Sequence, residues 1–176
     1  MTATTNFMKW VIIGALAACQ SHESKLDTAP GKLELIEAPA TAEVAPLIAK
    51  EYARAAADRK HLLVYLGAAW CEPCVKFHHA ASSGILDATF GDIRMLVFDA
   101  DRDNAALERA GYRYNLVPLF ALPGPDGRST GRQIEGSVKG ANYVQEIGPR
   151  LRSLVDGPGS SRAGSTGDGR SGSIDG

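Results

Sequence analysis

Two short and almost wholly apolar runs constrain this chain more than any other feature. They are "HLLVYLGAAW", from His61, and "IRMLVFDAD", from Ile93. A run of strand length without polar alternation suits a β-strand covered on both faces. The segments around them read in turn as follows. "KLELIEA" alternates as an edge strand does. "TAEVAPLIAKEYARAAADRK" carries Val44, Leu47, Ile48, Tyr52 and Ala55 at helical spacing, with Thr41 placed to cap it and Pro46 in its first turn. The first apolar run hands over to a helix in "CEPCVKFHHAA", and the second is followed by a helical "NAALERAGY". "NLVPLFALPGPDGRSTGRQIEGSV" holds two short strands joined at the turn signal Pro125-Asp126-Gly127. "GANYVQEIGPRLRSLV" closes as an amphipathic helix, bent or restarted at Gly148-Pro149. The order is βαβαβαββα. It predicts an α/β fold with a central mixed β-sheet flanked by helices on both faces.

The 176 residues hold one ordinary domain plus extensions. Net charge is −1, so no basic field invites nucleic acid. At the start, "WVIIGALAA" is apolar but too short to span a bilayer as a helix, and it runs into Cys19. Leu16-Ala17-Ala18-Cys19 resembles a bacterial lipobox, which implies a signal peptide over 1–18 and a lipid-bearing Cys19. Gln20 follows where an Asp would favour inner-membrane retention. The expected location is therefore the periplasmic face of the outer membrane, with residues 19–31 as a tether. From Asp156 to Gly176 the Gly- and Ser-rich tail has too little apolar surface to offset its ordering entropy. The expected domain covers residues 32–155.

Within it, "AAWCEPCVKFHH" concentrates the chemistry. Covalent haem attachment needs His directly after the second Cys, and Val75 stands there. A structural zinc site needs four ligands, and Cys71 and Cys74 are the only cysteines of the domain. Cys71, Cys74 and His78 on one helix face would still allow a Cu(I) or Zn site. A purely structural disulfide closing so small a loop would constrain little of the unfolded chain. A redox pair is well served. Cys71 falls at a helix N-terminus, where free N–H groups and the helix dipole favour a thiolate. Cys74 follows one turn in, and Pro73 sets that turn without losing a needed N–H.

Trp70, the Cys71-Glu72-Pro73-Cys74 run, the strand before it, the helix after it and Val117-Pro118 ahead of the hairpin together resemble the thioredoxin superfamily, over about residues 32–155. That resemblance implies the thioredoxin fold and a thiol–disulfide oxidoreductase needing no cofactor. It implies a cis-proline at Pro118 that leaves the Val117 backbone open to a substrate peptide, with Trp70 and Gly136 completing the groove. Cys71 would attack a substrate disulfide, and Cys74 would resolve the mixed disulfide. The implied partners are protein disulfides and an electron-donating thiol protein, and the expected state is a monomer. A redox-inactive interaction module is the remaining alternative.

Two positions depart from the family pattern. Tyr65 stands where thioredoxins place a buried acid beneath the second Cys, and a phenol is a poor base at neutral pH. His78, one turn beyond Cys74, is the best substitute proton partner. Glu72 replaces a glycine, and its carboxylate disfavours the Cys71 thiolate, which predicts a reductant rather than an oxidant. "DADRDN", Asp99 to Asn104, begins like a calcium loop but has Ala110 where a bidentate Glu is needed, and reads as a solvated loop.

Overall fold

The computed structural model describes residues 31–157, apart from 42, 138 and 141. The signal peptide, Cys19, the tether up to residue 30 and the tail beyond Gly157 lie outside the described residues.

Ten elements follow one another: β1 (Glu34–Glu37), α1 (Val44–Ala57), β2 (His61–Gly67), α2 (Glu72–Ser82), α3 (Asp87–Phe90), β3 (Ile93–Asp99), α4 (Ala100–Arg109), β4 (Leu119–Pro123), β5 (Ser129–Glu135) and α5 (Tyr143–Asp156). The strands form one sheet in the order β1-β3-β2-β4-β5. β3 pairs parallel with both β1 and β2, while β4 runs antiparallel to β2 and β5 antiparallel to β4. The two apolar runs are thus the centre of a mixed sheet.

Their lack of alternation follows from what covers them. Leu63, Tyr65, Met95 and Val97 pack on one face with Phe77 of α2 and Tyr143, Ile147 and Leu151 of α5. Leu62, Val64, Leu66, Leu96 and Phe98 pack on the other with Val44 and Ile48 of α1 and Leu107 of α4. Each large aliphatic side chain so buried contributes roughly 1.5–3 kcal/mol. Helices lie on both faces, as the element order predicts.

Four local expectations are corrected. The chain has an additional single-turn helix, α3, between α2 and β3. Phe90 and Leu86, the residue just before the helix, are both buried, and Asp87 accepts the Leu33 N–H at 3.1 Å, but one turn is too short to leave a periodic signal. "DADRDN" is not a loop: α4 starts at Ala100, and the Asp99 carboxylate caps it by accepting the Asp101 and Arg102 N–H groups. Asp103, almost fully buried, returns a bond to the Asp99 N–H at 2.9 Å. Thr41 does not cap α1, because its hydroxyl accepts from Glu43 N–H one step before the helix begins at Val44. Finally, α5 runs unbroken through Pro149, whose ring lies on the exposed side of the helix, so α5 does not restart there.

The turn expected at Pro125-Asp126-Gly127 joins β4 to β5. Gly127 takes φ of +76°, and its carbonyl accepts the buried Tyr112 hydroxyl at 3.0 Å.

Candidate active site

β2, the central strand, ends at Gly67, and the chain turns off the end of that strand into α2 with Cys71 at the N-cap. Cys71 Sγ accepts the backbone N–H of Cys74 at 3.3 Å, and the two cysteines are joined in a disulfide. Pro73, in the first turn, has no N–H to leave unsatisfied. Both sulfur residues are buried, Cys71 (6% exposed) somewhat less than Cys74 (2%).

In front of Cys71 lies a groove of about 700 Å³. Trp70 forms one wall, highly exposed, with its indole N–H donated to the Asp101 carboxylate at 3.1 Å. The other wall is the loop entering β4. Val117 packs against the cysteine pair, and the Val117–Pro118 peptide bond is cis. Gly136 N–H is donated to the Pro118 carbonyl at 2.8 Å, with φ of +64° at Gly136, so this position favours glycine. Glu135 holds the same loop from β5, its carboxylate accepting Asn115 N–H at 2.8 Å and Leu116 N–H at 3.2 Å.

Glu72 forms an ion pair with Lys76 one turn on, at 2.6 Å. That hydrogen bond and the ammonium charge hold its carboxyl below the usual range. The charge beside Cys71 is therefore a matched pair rather than a lone carboxylate, which weakens the repulsion read from the sequence.

Behind Cys74 the surroundings differ. Tyr65 lies in the aromatic cluster of Phe77 and Phe120, with ring centroids 5.3 and 5.0 Å away, and donates its hydroxyl to the Cys74 carbonyl at 3.2 Å. Burial, and secondarily the charge of Glu37, pushes its titration far above that of an ordinary phenol. A cavity of about 440 Å³ reaches Cys74 here, lined also by Tyr65, His78 and Glu37. His78 Nε2 stands 3.1 Å from Glu37 Oε1. The structure thus brings Trp70, Cys71, Glu72, Pro73, Val117 and Gly136 to one groove and sets His78 on the other side, paired with β1. Among the described residues, no group of three or more His, Cys, Asp or Glu side chains is placed to hold a metal ion.

No protein-family model matches the chain, and no curated protein sequence matches it. Solved thioredoxins resemble it in structure. A point-mutant thioredoxin from Halobacterium salinarum NRC-1 is 19% identical with a TM-score of 0.42, over 72% of this chain and 90% of that one. Thioredoxin O1 of Arabidopsis thaliana is 16% identical with a TM-score of 0.42, over 69% and 97%. Plasmodium falciparum thioredoxin is 13% identical with a TM-score of 0.43, over 70% and 99%. The fold is α/β, with a thioredoxin-like order of elements. The strand order β1-β3-β2-β4-β5 with helices on both faces carries that fold.

Three site residues escaped the sequence reading. Asp101 belongs to the segment read as an idle loop, Glu135 to a hairpin end and Glu37 to an edge strand. Each acts across a long stretch of chain, so no local spacing could have signalled it.

Proposed function

We propose that this chain is a thiol–disulfide oxidoreductase that reduces protein disulfides. The observation that carries this reading is Cys71 at the N-terminus of α2, its Sγ taking the Cys74 N–H at 3.3 Å while its side of the pair borders an open groove. The free N–H groups and dipole of that helix end favour a sulfur anion. Cys71 as thiolate attacks one sulfur of a substrate disulfide; that S–S bond breaks, and the other substrate sulfur leaves as a thiolate and takes a proton. Cys74 then loses its proton, attacks Cys71 Sγ and releases the second substrate thiol. The substrate gains two electrons, and the chain is left with the Cys71–Cys74 disulfide. A donor thiol protein restores the dithiol.

The groove suits a peptide backbone laid along Val117, between Trp70 and Gly136. Sequence alone supports the remainder of the proposal: a monomer tethered by lipid at Cys19 to the periplasmic face of the outer membrane. Reduction of insulin disulfides by the full chain, with a small dithiol as electron source, tests the activity. Equilibration with glutathione tests its direction. A potential near about −270 mV supports a reductase, and one near about −120 mV makes the protein an oxidant. No exchange at all removes the reading.

A further inference from the structure

Resolution needs Cys74 as a thiolate, and Cys74 is the more enclosed of the two sulfurs. The residue beneath it is no help as a base. Tyr65 is a buried phenol that already donates its proton to the Cys74 carbonyl oxygen. The acceptor must come from elsewhere, and the cavity behind Cys74 is where the chain offers one.

That cavity, about 440 Å³, has room for several waters at roughly 30 Å³ each. Two histidines line it, His78 and His79, and His78 is the one held by a carboxylate, Glu37 of β1. A carboxylate against Nε2 keeps the ring hydrogen there and leaves Nδ1 as the basic nitrogen. The other charged groups around the cavity have different engagements. Asp99 caps α4 through its carboxylate, and the Arg102 guanidinium binds the Ala38 carbonyl and Asp103.

We propose that His78, held by Glu37, accepts the Cys74 proton through water in this cavity, and that Glu37 is its positioning residue. The inference rests on the oxidoreductase reading above. In the step, the Cys74 S–H proton passes through water to His78 Nδ1. The thiolate formed attacks Cys71 Sγ, the Cys71–Cys74 bond forms, and the Cys71–substrate bond breaks. The substrate sulfur leaves with the electron pair, and the imidazolium returns its proton to that thiolate or to solvent. Glu37 balances the imidazolium charge while it lasts.

The test uses the full chain carrying Cys19→Ser, so that Cys71 and Cys74 are its only thiols. The reduced protein is mixed with limiting dithiobis(nitrobenzoate) in a stopped-flow instrument across pH. The first thionitrobenzoate released reports attack by Cys71; the second, concentration-independent, reports resolution by Cys74. In the otherwise native chain the second phase should rise with pH through a histidine inflection. His78→Gln should abolish that inflection and slow the second phase about tenfold or more relative to the first, in the range of general-base contributions. Free imidazole should restore part of the loss. Glu37→Ala should slow the second phase and leave the first as it was, because the ring loses the acceptor that holds its Nε2 hydrogen, and Glu37→Gln, which keeps an acceptor oxygen, should restore part of that loss. His79→Gln should leave the profile as it was.

An inflection that survives His78→Gln overturns the inference, even if the rate falls uniformly, as does an inflection that disappears with His79→Gln instead. Resolution that proceeds normally in His78→Gln sinks this inference alone. A native dithiol that releases no second thionitrobenzoate sinks it together with the oxidoreductase reading.

Discussion

The groove in front of Cys71 and the cavity behind Cys74 lie on two sides of one disulfide, and they are built from different materials. The groove is faced with exposed apolar surface, Trp70 and Leu116 above all, and its floor is backbone held in place by Glu135 and Gly136. The cavity, apolar in part through Ala68, Val75, Val97 and Phe98, also holds a carboxylate–imidazole pair and a phenol whose proton is already committed. The difference matches the two half-reactions of the proposed activity. Attack on a substrate needs contact with a foreign chain, which apolar surface and open backbone provide. Resolution is internal and needs only somewhere for a proton to go.

The largest expected effects separate the two sides outright. Cys71→Ser should abolish insulin reduction and form no adduct. Cys74→Ser should still attack and then accumulate the mixed disulfide, visible as a stable mass increase in the intact protein. Sustained turnover by Cys74→Ser would erase the division of labour.

Next comes the shared floor. Tyr65→Ala removes a ring from the packed cluster of Phe77, Phe120 and Tyr143 and should lower unfolding free energy by about 3–5 kcal/mol in urea titration. Tyr65→Phe loses only the bond to the Cys74 carbonyl and should cost about 1 kcal/mol. A Tyr65→Phe variant that also lost the pH inflection of resolution would return the proton role to the phenol.

On the groove side, Trp70→Ala should raise KM for a peptide disulfide about tenfold, as loss of an interface aromatic does. Stability should move by less than about 0.5 kcal/mol, because the ring is mostly in solvent. Asp101→Asn, which weakens the anchor of the indole, should raise KM in the same direction and by less. A kcat effect without a KM effect would mean that Trp70 does not touch substrate.

The smallest effects concern charge. Glu72→Gln should lower the Cys71 pKa, since an anion beside the thiolate is removed, and Lys76→Met should raise it by exposing that anion. Each should change the thiolate fraction by about threefold or less, as exposed pairs do, and salt should shrink both shifts. Thiolate absorbance against pH reads them directly. A large shift would mean that Glu72 and Lys76 do not offset each other as their 2.6 Å contact implies.

Much of the groove was legible before any coordinates. Trp70, Cys71, Pro73 and Cys74 are neighbours, so their relation is set by the start of one helix. Val117-Pro118 came from the family resemblance, which implied a cis-proline there, and the peptide bond is cis. The central strands were legible because burial on both faces removes polar residues from a run of strand length. The helix α3 was not, since one turn carries no period. Neither was the role of Asp99 and Asp101, because a cluster of acids reads equally as a loop or as the first turn of a helix. Capping bonds to the Asp101 and Arg102 N–H groups decide between the two.

By itself the sequence determined the α/β order, the two buried strands and the placing of a Cys-Glu-Pro-Cys run at a helix start, because these depend on periodicity and on local backbone chemistry. Only the tertiary structure decided that Glu37 meets His78, that Glu135 holds the loop before Pro118 and that a cavity opens behind Cys74. Pairing of β1 with β3, together with the placing of α2 over the sheet, brings Glu37 and His78, 41 positions apart, to 3.1 Å. Hydrogen bonds of that range depend on sheet order and register, which no local stretch of the chain specifies.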